Sequence, residues 1–357
     1  EGLDAQASPD TVFAGIVVAM AVLAVAVIQA DWTPGYVGGL ILLALYAAFY
    51  GLTEGAERAL IVELTAARTG AGSALGAAPA IPGGGPLRRP IPASGELIAA
   101  VGLGTYDSFD VADPASTDLE QVLARFVALG GQMVDSSPMY GNAESVVGNL
   151  AATLRLRDRL FLATKVWTHG HAEGIRQMET SFSRLRTQRL ELMQVHNLVD
   201  WQVQLPTLRE WKQQGRLRYY GVTHYHEGAY QELETVLRAA RPDFVQLNYS
   251  LAEPAAAVRM LPLAQDLGIA VIINRPFAKA SLFGRVRGKP LPEWAAEFDC
   301  ASWAQFFLKF ILAEPAVTCV IPATGKVHHL EDNLAAAQGR LPDAQQRARM
   351  RETLARM

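Results

Sequence analysis

Two cysteines in 357 residues, Cys300 and Cys319, are too few for a disulfide framework and show no C-x-x-C spacing. That suits a reducing compartment and a pair of core thiols. An excess of one charge is also missing. With 32 basic against 35 acidic residues and a net charge of -3, bulk electrostatics gives no reason to expect nucleic acid as a partner. A phosphate loop is absent too: Gly83-Gly84-Gly85 follows no strand pattern, opens no helix and leads to no Lys-Ser/Thr pair. Gly102-Leu103-Gly104 lacks the third glycine of a dinucleotide fingerprint, which argues against a doubly wound open sheet. The close histidine pairs His169/His171, His224/His226 and His328/His329 come with no cysteine or carboxylate set at zinc-like spacing, so no metal is expected. No initiator Met opens the chain, so no targeting signal is read from its start.

What the N-terminal part does contain is two long stretches without charge, Thr11 to Ala30 and Trp32 to Thr53, parted by the turn Asp31-Trp32-Thr33-Pro34. A bilayer span takes about 20 apolar residues, so residues 11–53 are expected to form a transmembrane helical hairpin; a pair of buried helices is the alternative. Arg58, Arg68, Arg88 and Arg89 follow the second stretch while the turn carries no positive charge. Both ends of the hairpin are therefore expected on the cytoplasmic side, anchoring the rest of the chain to the inner membrane. The segment YGLTEGAERALIVEL, Tyr50 to Leu64, is similar to a stretch joining two late helices of major facilitator superfamily transporters. Two helices cannot build the two-bundle cavity of such proteins, so the resemblance implies an anchor or a fusion relic. The expected organisation is a hairpin at 1–68, a Gly/Ala/Pro-rich linker at 69–92 and a catalytic domain at 93–357.

Beyond Arg88 short runs of Val, Ile and Leu alternate with amphipathic stretches. The runs predict strands at Ala99–Leu103, Gln132–Ser136, Phe161–Val166, Leu192–His196, Tyr219–Thr223, Phe244–Asn248, Ala270–Asn274 and Thr318–Ile321. Helices are predicted between and after them, near Thr117–Leu129, Ala143–Leu154, Glu173–Leu185, Gln204–Gln214, Glu227–Ala239, Ala255–Leu267, Trp303–Leu312 and Leu330–Ala337. Eight strand–helix repeats in this length specify a (β/α)8 TIM barrel. Polar residues gather where the predicted strands end: Asp135, Lys165, His196, Thr223, Gln246, Asn248, Asn274 and Arg275. A set on consecutive strands is hard to explain as packing, because each unpaired buried charge would be costly.

VDSSPMYG (Val134 to Gly141), LATKVW and LMQVHN resemble the segments of the aldo-keto reductases that carry the catalytic Asp and Tyr, the Lys and the His. RLRYYGVTHY, PDFVQLNYS and VIPATGKVHHLEDNLAA match later blocks of that family in order. The resemblance covers Arg88 to Met357 and implies a reductase of aldehydes or ketones. Tyr140 would give the proton, and Lys165 would draw its phenol toward phenolate. Asp135 would hold Lys165, and His196 would orient and polarise the carbonyl.

The resemblance also implies NADPH, with NADH as the alternative. Thr223, His224 and Gln246 would hold the nicotinamide; His224 stands where Asn is usual, and Asn274 where a stacking Tyr is frequent, leaving Phe277 as its substitute. Arg275 lies beside this group. Thr324, Lys326, His329 and Asn333 would meet the phosphate and adenine, although many members carry Arg at the position of His329 and Lys at that of Ala323. Trp167, Met139 and Trp201 are possible apolar walls for a small carbonyl substrate. Little chain follows Leu341, so the mouth is expected to be open. A competing function is a non-catalytic NADPH-binding subunit of a membrane protein, which the hairpin would suit; turnover separates the two.

Overall fold

Near-continuous apolar runs demand burial on both faces, and in a computed structural model they become the wall of a parallel barrel. The structure describes residues 85–357, so the expected hairpin at 11–53 and the transporter-like stretch lie outside the described residues. Among the described residues no helix is long and apolar enough to cross a membrane.

The first two strands, β1 (Arg88–Pro90) and β2 (Leu97–Ala99), form an antiparallel hairpin. The barrel strands are β3 (Leu103–Gly104), β4 (Met133–Asp135), β5 (Phe161–Val166), β6 (Leu190–Val195), β7 (Leu217–Thr223), β8 (Phe244–Asn248), β9 (Ala270–Asn274) and β10 (Val317–Val320). They form one 8-stranded sheet in sequence order, every pairing parallel. The sheet curls until its edges meet: Gly102 N donates to Val320 O and Val320 N donates to Ala100 O, beside parallel bridges Val101–Val320 and Gly104–Ala323. Glycine is needed at this seam, since a Cβ on Gly102 would lie 2.9 Å from Met133 O and one on Gly104 2.8 Å from Ile321 O.

Helices follow the strands, among them Leu119–Ala128, Ala143–Thr153, His171–Arg184, Trp201–Gln213, Tyr230–Ala240, Met260–Asp266, Trp303–Leu312 and Val327–Ala335. Their apolar faces and the outward faces of the strands make the larger core. The smaller core fills the barrel itself with Met133, Phe161, Ala163, Leu192, Tyr219, Phe244, Ala270, Ile272, Cys319 and Ile321. Ile91 and Ile98 from the hairpin join this inner cluster and are fully buried. They close the floor, each contributing about 1.5–3 kcal/mol of apolar burial.

This hairpin corrects the sequence reading twice. It starts at Arg88, inside the stretch read as linker, and the run expected as one strand at Ala99–Leu103 is divided between β2 and β3. Two helices also begin later than expected. The stretch from Glu227 opens as a 3-10 turn at Glu227–Ala229, and that from Ala255 as a 3-10 turn at Ala255–Ala257. The chain after Leu341 ends in a further helix, Ala344–Ala355.

The period of two along each strand positions the site. Side chains at i and i+2 share a face, so the inner column of β5 reads Phe161, Ala163, Lys165; that of β6 Leu192, Gln194; that of β8 Phe244, Gln246; and that of β4 Met133, Asp135. Apolar residues fill the floor and middle, and the polar residues crown the C-terminal end.

Candidate active site

Lys165 is fully buried, and its ammonium donates to Asp135 Oδ2 at 2.6 Å and to the Ser136 carbonyl at 2.7 Å. The other carboxylate oxygen of Asp135 accepts from Gln246 Nε2 at 2.9 Å and Gln194 Nε2 at 3.3 Å. Both Asp135 oxygens are thus committed. Lys165 Nζ lies 5.1 Å from the centroid of the Tyr140 ring. That ring meets Tyr106 edge-on at 5.1 Å and His196 at 6.0 Å. His196 Nδ1 is 3.1 Å from Ser137 Oγ, and Trp167 lies 6.5 Å from the imidazole.

Electrostatics follow from this packing. Burial alone would lower the pKa of Lys165, but Asp135 and then Tyr140 outweigh it and raise it, so the lysine stays charged. For Tyr140 burial raises the phenol pKa, and the opposing pull of the Lys165 cation leaves it above its ordinary value. Lys165 therefore acts in the expected direction without making Tyr140 a phenolate, because desolvation of the ring oxygen is the larger effect. His196 is held near a pKa of about 2, by burial first and then by the cationic Lys165 and by His224. It is a neutral imidazole.

Next to this cluster His224 N donates to Gln246 O at 2.9 Å, and Asn274 Nδ2 donates to His224 O at 3.0 Å. Thr223 ends β7 in register with Gln246. Arg275 reaches Glu253 at 2.8 Å. Two polar atoms here, Asn274 Oδ1 and Arg275 Nε, are buried without a partner. Asn248 is tied to Glu253 and Tyr230. Phe277 turns its ring onto Phe283 at 4.8 Å and Phe307 at 6.5 Å, in the helix layer. Thr324 and Lys326 lie where β10 leads into the helix Val327–Ala335, with His329 in its first turn and Asn333 near its C-terminal end. Thr324 Oγ1 accepts from Lys326 N at 3.1 Å, Asn333 is buried, His329 is exposed, and Lys326 Nζ lies 3.2 Å from Asp118. Among the described residues no three His, Cys, Asp or Glu side chains gather as metal ligands.

Met139 and Trp167 stand exposed around the barrel mouth, whereas Trp201 packs against the outer core. Three site residues escaped the sequence reading: Gln194, Ser137 and Tyr106. Gln194 precedes His196 by two on the inward face of β6, a signal that was available. Ser137 and Tyr106 sit in turns, where no period points to them.

A closed parallel barrel that crowns its strands with a buried lysine, its carboxylate, a tyrosine and a neutral histidine is an enzyme built for proton transfer. The chain belongs to the aldo/keto reductase family, which it matches over residues 100–354. The transporter-like stretch at Tyr50 to Leu64 falls outside that match. Methylglyoxal reductase YeaE of Escherichia coli is 28% identical over 263 residues, spanning 71% of this chain and 90% of that protein. A solved aldo/keto reductase of Klebsiella pneumoniae, in complex with NADP and acetate, is 25% identical with a TM-score of 0.62, covering 73% of this chain and 93% of the other. A holo-form aldo-keto reductase of Bacillus halodurans shares the fold at 21% identity and a TM-score of 0.62, covering 75% and 96% of the respective chains.

Proposed function

We propose that the barrel reduces aldehyde or ketone carbonyls to alcohols, with Tyr140 giving the proton and Lys165, Asp135 and His196 preparing its transfer. Membership of the aldo/keto reductase family makes the chain an NADPH-dependent carbonyl oxidoreductase. The observation that carries the residue roles is the fully buried Lys165 ammonium, clamped by Asp135 beneath the Tyr140 ring.

NADPH supplies the hydride when bound. Negative charge then develops on the carbonyl oxygen, and Tyr140 neutralises it by donating its hydroxyl proton. The phenolate left behind is stabilised by Lys165, whose charge is kept in place by Asp135. Each Asp135 oxygen accepts a hydrogen bond, one of them from the Lys165 ammonium, so Asp135 serves to fix Lys165. A neutral His196 orients the carbonyl oxygen by hydrogen bonding and does not compete as a second acid.

The residues present fit the cofactor. The unpartnered Asn274 Oδ1 suits a carboxamide N–H, and Gln246, Thr223 and His224 frame the same place. Arg275 Nε is a free donor beside it. The Lys326–Asp118 pair is solvent-exposed, and such pairs contribute little. Lys326 can exchange Asp118 for a phosphate at the N-terminus of the helix Val327–Ala335, beside Thr324 and His329, while the buried Asn333, further along the same helix, is left for the adenine. The Lys326 cation favours NADPH over NADH. Phe277, engaged with Phe283 and Phe307, has no place at the nicotinamide in this reading.

The exposed Trp167, Met139 and Tyr106 beside the catalytic cluster suit small carbonyls such as α-dicarbonyls, in keeping with the methylglyoxal reductase relative. The test is NADPH oxidation by the purified chain against α-dicarbonyls and aromatic aldehydes. Tight NADPH binding with no oxidation by any of them would favour a binding-only subunit. Residues 11–53 are proposed as a membrane attachment that leaves the barrel on the cytoplasmic side; the support is their two charge-free stretches. Release of the full chain from membranes by carbonate washing would count against that attachment.

A further inference from the structure

We infer that Ser137 is a positioning residue that holds His196 in one tautomer, with the imidazole proton on Nε2. The inference rests on the reading of His196 as the group that orients the carbonyl.

Ser137 is fully buried in the turn after β4, two residues past Asp135, with its Oγ 3.1 Å from His196 Nδ1. A hydroxyl has one proton to give and two lone pairs to receive. One lone pair is already used, since the Met139 amide N–H donates to this oxygen at 3.4 Å. Met139 and His196 are its partners among the described residues. The arrangement that satisfies every atom sends the hydroxyl proton to Nδ1. The reverse, Nδ1–H onto Oγ, would strand the hydroxyl proton in a buried place with no acceptor.

An accepting Nδ1 belongs to a neutral ring protonated at Nε2. Independent support comes from the surroundings of the ring: burial and the neighbouring Lys165 and His224 disfavour a second proton on it. Tyr140 and Trp167 pack against the imidazole at 6.0 and 6.5 Å and constrain its plane. Ring packing does not distinguish the two nitrogens, whereas the Ser137 hydroxyl does. With Nδ1 engaged, Nε2 is the nitrogen left for the site, and it is a donor. A carbonyl oxygen, which only accepts, needs a donor.

The test is nitrogen-15 NMR of the imidazole in the full-length protein at neutral pH, with the His196 signal assigned by its loss in His196→Gln. An unprotonated Nδ1 and a protonated Nε2 are expected. A ring protonated at Nδ1, or at both nitrogens, overturns the inference. In Ser137→Ala the spectrum should show mixed tautomers. Its kcat should fall roughly 3- to 10-fold, the range of one neutral hydrogen bond, with unchanged NADPH affinity. Ser137→Thr, which keeps the hydroxyl, should restore both. An unaltered tautomer and kcat in Ser137→Ala would also overturn it. If the wild-type chain turns over no carbonyl, the proposed activity fails, while the wild-type and Ser137→Ala spectra together still decide the role of Ser137.

Discussion

Removing one member of the Lys165–Asp135 pair should destabilise the barrel far more than removing both. Lys165 is 0% exposed and Asp135 2%, and they meet at 2.6 Å. In Asp135→Asn the ammonium keeps the Ser136 carbonyl but loses its countercharge. In Lys165→Met the carboxylate keeps Gln246 and Gln194 but loses its cation. Stranding one buried charge costs about 3–5 kcal/mol. For a domain of this size that is roughly 6–15 °C in Tm, at about 2–3 °C per kcal/mol. The double variant Lys165→Met/Asp135→Asn buries no charge, and its Asn can still accept from Gln246, so it should recover to within about 1–2 kcal/mol of wild type. Calorimetric unfolding of the four proteins measures the cycle. Single losses under about 1 kcal/mol, or losses that simply add in the double variant, would refute the reasoning. The pH dependence has a definite sign. Lys165 has a raised pKa in the fold, so its stabilisation is complete below its unfolded value of about 10.4 and is lost as pH rises through the folded value. Tyr140, also raised, loses its contribution in the same alkaline range. Stability should therefore begin to fall near pH 10, and fall less in Lys165→Met/Tyr140→Phe.

Further outcomes follow from other parts of the molecule. Lys326→Ala should raise KM for NADPH about 10-fold and leave KM for NADH nearly unchanged, because a lost charge–phosphate bond matters only where the phosphate exists; equal changes for both cofactors would remove Lys326 from the phosphate site. Gly148→Ala would set a Cβ 2.1 Å from Arg184 O, where the helices Ala143–Thr153 and His171–Arg184 approach, and should lower stability by about 1–3 kcal/mol in denaturant titration. His196 and His224 are held near about 2 and about 4, both by burial first. Their stabilisation is present above about pH 6.5 and is lost as pH falls below it, so His196→Gln should flatten the loss of stability between about pH 6 and 4.

Much of the barrel was legible because its strands are buried on both faces, so an apolar run and a strand coincide. Phe161–Val166, Phe244–Asn248, Ala270–Asn274 and the helix Trp303–Leu312 fall where the pattern put them. Polar ends on apolar strands likewise pointed to Asp135, Lys165 and Gln246. The floor hairpin was not legible, since Ile91 is a lone apolar residue between Pro90 and Pro92, and Ile98 belongs to the run Leu97–Val101, which reads as the start of the first barrel strand. The C-terminal helix Ala344–Ala355 buries only Met350 and Leu354, too few for a period to show, and its signal was the capping box of Asp343 and Gln346. Ser137 reaches His196 because the turn after β4 approaches the end of β6, a contact between residues 59 apart. The upward direction of the Tyr140 pKa depended on whether burial outweighs Lys165, and residue types alone do not weigh those two effects.

Most directly, the account is tested by Tyr140→Phe, comparing NADPH affinity and single-turnover carbonyl reduction with wild type. The variant loses only a hydroxyl, so NADPH affinity should stay within about 2-fold, while the reduction step should slow by about 10²–10⁴ as the proton donor disappears. Reduction within a few-fold of wild type, or binding lost in step with turnover, would contradict Tyr140 as the proton donor.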